Sequence, residues 1–214
     1  MPIRRGSNLV TRIFRGSTEI TRVFRGSIEI WRRNGVVQFW TPGTYTITVP
    51  SYAAFVDLGV VGGAGGGATG DNGVSTANGE GGNPSSWVTG SFAVKPGDQI
   101  TFTIGDGGTG ASGGVKRSGT AGSQSTITGP GISLTSNGGT PGVGTTSNMD
   151  RTGHGLAASN VNGVPLPGSS DVSSGNGSDP GGGGAGAPYP GWTNSTAAAG
   201  NGGPGRGMAN FRSF

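Results

Sequence analysis

Between residues 35 and 135, apolar and polar positions follow the two-residue period of β-strands. Tyr45, Ile47 and Val49 alternate with Thr44, Thr46 and Thr48, which gives one face to bury and one to wet. Ile100, Phe102 and Ile104 repeat that alternation within Gln99 to Ile104. Val36 to Trp40 reads as a short apolar strand. Ala54 to Val61 is more continuously apolar and reads as a strand covered on both faces. Ser86 to Val94 reads as another strand. Thr41-Pro42-Gly43 and Lys95-Pro96-Gly97-Asp98 supply turn chemistry, and Pro50 ends the strand before it. Short strands at regular spacing with Pro-Gly turns predict a β-sandwich.

The first thirty-four residues carry a different pattern, one phrase written three times at a spacing of ten: Arg5 to Phe14, Arg15 to Phe24 and Arg25 to Asn34. Each copy opens on Arg-Gly-Ser and continues with Val, Ile, Thr and Phe, the composition of a strand bounded by a turn. Gly6, Gly16 and Gly26 would each cost a helix about 1 kcal/mol relative to Ala. A seven-residue strand reaches roughly 23 Å, and two or three alone bury too little apolar area to stand in water. In the second copy, Ile20, Arg22 and Phe24 share one face and Glu19, Thr21, Val23 and Arg25 the other, so both faces expect neighbours. Two arrangements meet that need. One is a homotrimeric stalk, a β-prism or β-helix, with Arg5, Arg15, Arg25, Phe14, Phe24, Ile20, Ile30 and Trp31 as its assembly residues. The other is a three-stranded meander docked on the next domain.

Residues 136–214 show almost no strand signal; Gly, Ser, Asn, Pro and Ala dominate. Composition alone points to disorder. The alternative is a bundle of polyproline-II-like segments. Such helices have three residues per turn and no internal hydrogen bonds, so their backbone groups are free to pair with neighbours. Lack of Cβ lets them approach. Gly62 to Gly67 and Gly105 to Gly114 suit the same bundle. Glycine does not keep every third position, so a collagen helix is not expected.

Composition sharpens this division. The 49 glycines and an apolar fraction of 30% exclude a large apolar core, and without cysteine no disulfide or thiolate metal site replaces it. Oligomerisation remains as a source of stability. The formal charge of +4 is unevenly spread. Residues 1–33 hold eight Arg against Glu19 and Glu29, a net +6, and the remainder six basic against eight acidic residues, a net −2. A strict β repeat is not the form of a phosphate-binding arm, so no nucleic-acid partner is expected. No apolar run approaches eighteen residues, and no signal-peptide core follows Met1-Pro2-Ile3-Arg4-Arg5. A soluble protein made without a secretion signal or membrane insertion is the expectation.

The order "PGTYTITVP", a strand ending in a glycine run, "SFAVKPGDQITFTIGDGGTG" and a further glycine-rich segment resembles the glycine-rich domain of many bacteriophage tail-fibre and minor tail proteins. The repeat "RIFRGSTEITRVFRGSIEIW" is similar to a short β-repeat that precedes such domains in phage tail proteins, with wording closest to phages of actinobacterial hosts. Glycine-rich adhesin tips of some phages form ordered bundles of the kind described above. The resemblance implies a virion protein, a homotrimer that joins other tail proteins at a tail tip, side fibre or similar appendage, and no particular receptor; a non-enzymatic role, assembly in the host cytoplasm and contact with a host-surface glycan are the further expectations. A capsid fibre or decoration protein is the alternative. The implied architecture is all-β: a repeat stalk at 1–34, a sandwich-like domain at 35–135 and a glycine-rich region at 136–214.

Aromatic residues are few and therefore informative. Tyr189 and Trp192, in Pro188-Tyr189-Pro190-Gly191-Trp192, are candidates for host-surface contact or for packing anchors. Trp87 reads as a packing anchor, and Phe211 and Phe214 as residues docking on the body or on a partner chain. Gly105 to Gly110 fits a dinucleotide-binding pattern but lacks the helix that would present its N-terminus to phosphate. Gly110-Ala111-Ser112-Gly113-Gly114 fits a nucleophile elbow without the strand, helix and paired base it requires. His154, the only histidine, sits near Asp150 with nothing else to suggest a hydrolase. No cofactor or metal is expected.

Overall fold

The computed structural model describes residues 4–5, 8–9, 13–15, 18–20, 22–25, 28–32, 35–71, 77–144, 147–189 and 197–213. Side chains are described for Arg15 and, within those ranges, from Val36 onward. All regular elements among these residues are β-strands.

The repeats form three hairpins. β1 (Arg4–Arg5) pairs with β2 (Asn8–Leu9), β3 (Ile13–Arg15) with β4 (Thr18–Ile20), and β5 (Arg22–Arg25) with β6 (Ile28–Arg32), all antiparallel. This corrects the expectation of one strand of about seven residues per repeat. Arg5 pairs with Asn8, Arg15 with Thr18 and Arg25 with Ile28, so each Gly-Ser pair lies between two short strands. Two intervening residues are the commonest hairpin spacing, and pairing across so short a loop has little closure entropy to overcome.

Two four-stranded antiparallel sheets make the sandwich. One has the order β10 (Val88–Ala93), β9 (Phe55–Val61), β16 (Arg206–Arg212), β7 (Gly35–Phe39). The other runs β13 (Ile132–Ser136), β12 (Ser125–Gly129), β11 (Gln99–Ile104), β8 (Gly43–Thr48). The alternations read from the sequence face inward. Ile100, Phe102 and Ile104 meet Val56, Leu58 and Val60, with Ile127, Ile132, Ala209 and Phe211 filling between them. Phe39 stacks on Tyr45 at 4.6 Å between ring centroids and lies 4.8 Å from Phe102. A hairpin of β14 (Ser159–Val161) and β15 (Val164–Leu166) covers the outer face of the first sheet, so β9 is buried on both sides. Its turn residues Asn162 and Gly163 have φ of 46° and 79°, the left-handed pair that a type I′ turn requires. Leu166, Val161, Met208 and Trp87 form a second small core there.

Residues beyond 135 were expected to add almost no strand, yet β14, β15 and β16 all lie there. The last of these inserts between β9 and β7. Both ends of the described 35–213 segment therefore build the same sheet.

The glycine-rich segments are ordered by hydrogen bonds that advance three residues at a time. In the central segment 62–71, the N–H groups of Gly63, Gly66 and Thr69 donate to the carbonyls of Ser123, Thr120 and Arg117. Those of Ala64 and Gly67 donate to Gly203 and Gly200, and those of Gly65, Ala68 and Asp71 to Asn83, Glu80 and Ala77. Its carbonyls accept with the same period: Gly63 and Gly66 from Gly139 and Gly142, Ala64 and Gly67 from Gly108 and Ala111, Gly65 and Ala68 from Gly184 and Ala187. Three residues per turn and no internal bonds are the properties of a polyproline-II-like helix. The segment donates to three antiparallel neighbours and accepts from three parallel ones.

Those six neighbours also bond to one another in a closed ring. Its order is 77–83, 182–187, 199–205, 105–111, 117–123 and 138–142, and Asn83 N–H to Thr140 O closes it. Residues 62–71 are buried throughout, which is tolerable because their backbone groups are paired. Packing is close enough to exclude side chains at specific points. A Cβ on Gly63 would fall on the Asp106 carbonyl, one on Gly65 on that of Thr140, and one on Gly66 on that of Thr109. Ala64 and Ala68 in the same segment keep their methyl groups, wholly buried. The bundle continues the sandwich directly: β9, β11 and β13 run out into 62–71, 105–111 and 138–142, while 77–83, 117–123 and 199–205 lead back towards β10, β12 and β16.

Candidate functional site

Because alternate bundle segments run in opposite directions, their described ends away from the sandwich gather on one surface: Asp71 and Ala77, Ala111 and Arg117, Gly142, and Ala187 and Ala199. This end is built from polar contacts. Asp71, almost wholly buried, pairs with Lys116 at 3.1 Å, and Lys116 N–H donates to Gly70 O. Lys116 has φ of 54°, a conformation a side-chain-bearing residue adopts at a cost. Glu80 accepts from the Val143 N–H at 2.9 Å, and Val143 itself is an exposed apolar residue. Asn148 Oδ1 accepts from both the backbone and side-chain amides of Asn78.

Tyr189 belongs to this surface: its backbone N–H donates to Asn78 Oδ1 at 2.9 Å, and its side chain is half-buried. Trp192 and Phe214 lie outside the described residues. Of the assembly candidates, Arg5, Phe14, Arg15, Ile20, Phe24, Arg25, Ile30 and Trp31 all fall on strands of the three hairpins. Arg15 is exposed, and the side chains of the other seven lie outside what is described.

The remaining sequence motifs have structural employment. Gly105 to Gly110 forms a ring segment of the bundle. The N–H groups of Gly105, Gly108, Thr109 and Gly110 donate to Ser125 Oγ, Ala64 O, Thr120 Oγ1 and Asn201 Oδ1, so none of the four is open to a phosphate. His154 uses its backbone to bridge Gly82 and Gly183. Hydrogen bonds from Thr152 hold the Asp150 carboxyl below the ordinary carboxylate range, with the nearby His154 adding to the effect. Trp87 packs against Leu166 and Met208 and donates its indole N–H to Pro167 O at 3.0 Å. Phe211 is buried in the main core.

Sequence reasoning missed a buried ionic cluster on the outer face of the first sheet. Asp57 is wholly buried, and its Oδ1 accepts from Ser91 Oγ (2.7 Å) and Asn162 Nδ2 (2.6 Å). Its Oδ2 accepts from Arg212 Nε (2.8 Å) and Asn210 Nδ2 (3.2 Å). Burial alone would push this carboxyl up; the bonds from Arg212, Ser91 and Asn162 and the Arg212 charge outweigh it, and the pKa lies below its ordinary value. The cluster fastens the β14–β15 turn to the sheet. A lone carboxylate inside an apolar strand was the available signal.

A family model described as a glycine-rich domain matches residues 40–212, most of the chain. The chain belongs to this glycine-rich domain family. The matched span takes in the sandwich from β8 onward and the whole seven-segment bundle, and the three repeat hairpins precede it. A comparison with curated proteins finds no significant match. In this glycine-rich domain, the fold places backbone where other folds place side chains.

Proposed function

We propose that this protein is a structural component of a bacteriophage virion, a minor tail protein or a part of a tail fibre or tail tip, that presents the bundle-end loops to the host surface. The observation that carries this reading is the polarity of the molecule. β7 enters the sheet with Gly35 opposite Phe211 and leaves it with Phe39 opposite Gly207, beside the bundle. The repeats therefore join the body at the pole remote from the bundle, and the loops carrying Tyr189 emerge at the other. A rigid spacer with attachment at one pole and loops at the other suits an appendage that must hold a contact surface away from a particle.

In this reading the repeats are the assembly element. Stacked hairpins from three copies wind into a homotrimeric β-prism or β-helix, covering strand pairs too small to be stable alone, and they dock on other tail proteins. Tyr189 and Trp192 supply aromatic contact to a host glycan. The test applies gold-labelled antibodies against the purified protein to phage particles whose genome encodes it. Label at the tail end is expected; label over the head would favour a decoration role, and absence of label on any particle would overturn the proposal. Light scattering on the same preparation should give a trimer that falls to a monomer when residues 1–34 are removed; a full-length monomer would sink the assembly role.

A further inference from the structure

The junction between the first sheet and the bundle holds a buried charge with an unsatisfied donor. Arg206 opens β16 opposite Val61, and its side chain is only 4% exposed. Among the described residues its one ion pair is long, Nη2 to Asp179 Oδ2 at 3.5 Å, and its Nε is buried without a hydrogen-bond partner. Burial pushes the guanidinium below its usual range, with the Asp179 charge only opposing this. Such an ion pair returns little of the cost of burying the cation, and an apolar side chain of similar length would fill the space as well. A buried unsatisfied donor calls for another reason to be kept.

What Arg206 does hold is two exposed groups. Its Cζ lies 3.2 Å from the centroid of the Trp40 ring, so the inner face of the indole rests on the cation. Trp40 is nonetheless 51% exposed. The Asp179 carboxylate is 42% exposed and keeps free acceptor positions. One buried residue thus contacts both a half-exposed indole and a partly exposed carboxylate, on the sheet side of the bundle rather than at its loop end.

We propose that Trp40, Asp179 and Arg206 form a carbohydrate-binding subsite for a neutral hexose unit. The C–H face of the sugar stacks on the outer face of Trp40, its hydroxyls donate to Asp179, and Arg206 is the positioning residue for both. An apolar platform with a few fixed polar groups is the usual composition of a small-ligand site. This subsite is separate from the loop end and does not depend on the virion reading.

The protein contains four tryptophans, whose indole N–H signals are resolvable by ¹H–¹⁵N NMR, with that of Trp40 identified by its loss in Trp40→Phe. Titration with glucose, galactose and N-acetylglucosamine is expected to move the Trp40 signal selectively with at least one of them. Asp179→Asn should weaken that response about tenfold, the loss of one charged hydrogen-bonding partner. Arg206→Met should weaken it similarly while leaving the melting temperature unchanged or higher, which a merely structural arginine would not allow. A Trp40 signal that stays fixed with all three sugars overturns the proposal. So does a response that survives both substitutions undiminished; if Arg206→Met fails to fold, Asp179→Asn decides alone.

Discussion

Replacing Gly66 by Ala is expected to destabilise the protein by at least about 3 kcal/mol, the upper range for overpacking a rigid interior. The added Cβ would fall on the Thr109 carbonyl, and that carbonyl belongs to a backbone segment bonded on both sides within the ring. Backbone cannot swing away as the end of a flexible side chain can. The informative control lies two residues upstream. Ala64 occupies the same central segment, buried, and Ala64→Gly removes one methyl at a cost of about 1 kcal/mol from burial and chain entropy. Urea unfolding of both variants gives the comparison. If Gly66→Ala were no worse than Ala64→Gly, the close packing of the bundle would be wrong.

Removing the Asp57 carboxylate is the second large effect. Asp57→Ala leaves Arg212, Asn162 and Asn210 facing a gap, and about 3 kcal/mol is expected, the low end for breaking a buried pair because Arg212 is a quarter exposed. The same cluster sets a pH dependence. The carboxyl titrates near about 3.9 in the unfolded chain and lower in the folded one. Its contribution is therefore complete above about pH 4 and is lost as pH falls through the folded value. Thermal melts in that acid range should show a steep loss of stability for the wild type and a shallower one for Asp57→Asn. Equal acid limbs would remove Asp57 from the account.

Much of the sandwich was legible because alternation is a local property. Tyr45, Ile47 and Val49, and Ile100, Phe102 and Ile104, show their buried face without reference to any partner, and the run from Ala54 to Val61, apolar on both faces but for Asp57, announced cover on both sides. β16 was hidden: its Gly, Met, Ala and Asn are ordinary in a glycine-rich tail, and only pairing with β9 and β7 makes them a strand. β12 and β13 were passed over too, although Gly129-Pro130-Gly131 between Thr126-Ile127 and Ile132-Ser133 is a turn signal between alternating residues.

The bundle was half legible. Composition left order and disorder open, because the three-residue period resides in the partners and not in the residue types. Gly63 and Gly66 face one ring segment, 105–111, while Gly65 faces another, 138–142, and Ala64 keeps its methyl between them, so close approaches to different neighbours interleave and no single glycine register shows in the sequence. The repeats showed their period plainly, but not that each Gly-Ser would separate two pairing strands. At the candidate site, the position of Tyr189 in a loop could be read, whereas its tie to Asn78 spans 111 residues. The Trp40 subsite was invisible for the same reason: its cation and carboxylate come from the far end of the chain.

The bundle itself is the central claim, and amide hydrogen exchange of the full-length protein tests it most directly. The N–H groups of Gly63 to Thr69 donate in rotation to three neighbouring segments at 2.8–3.0 Å within a buried environment. They are expected to exchange as slowly as those of β9, since both open only when the domain unfolds. Exchange of Gly63 to Thr69 at the rate of an unstructured chain, with β9 still protected, would contradict the bundle.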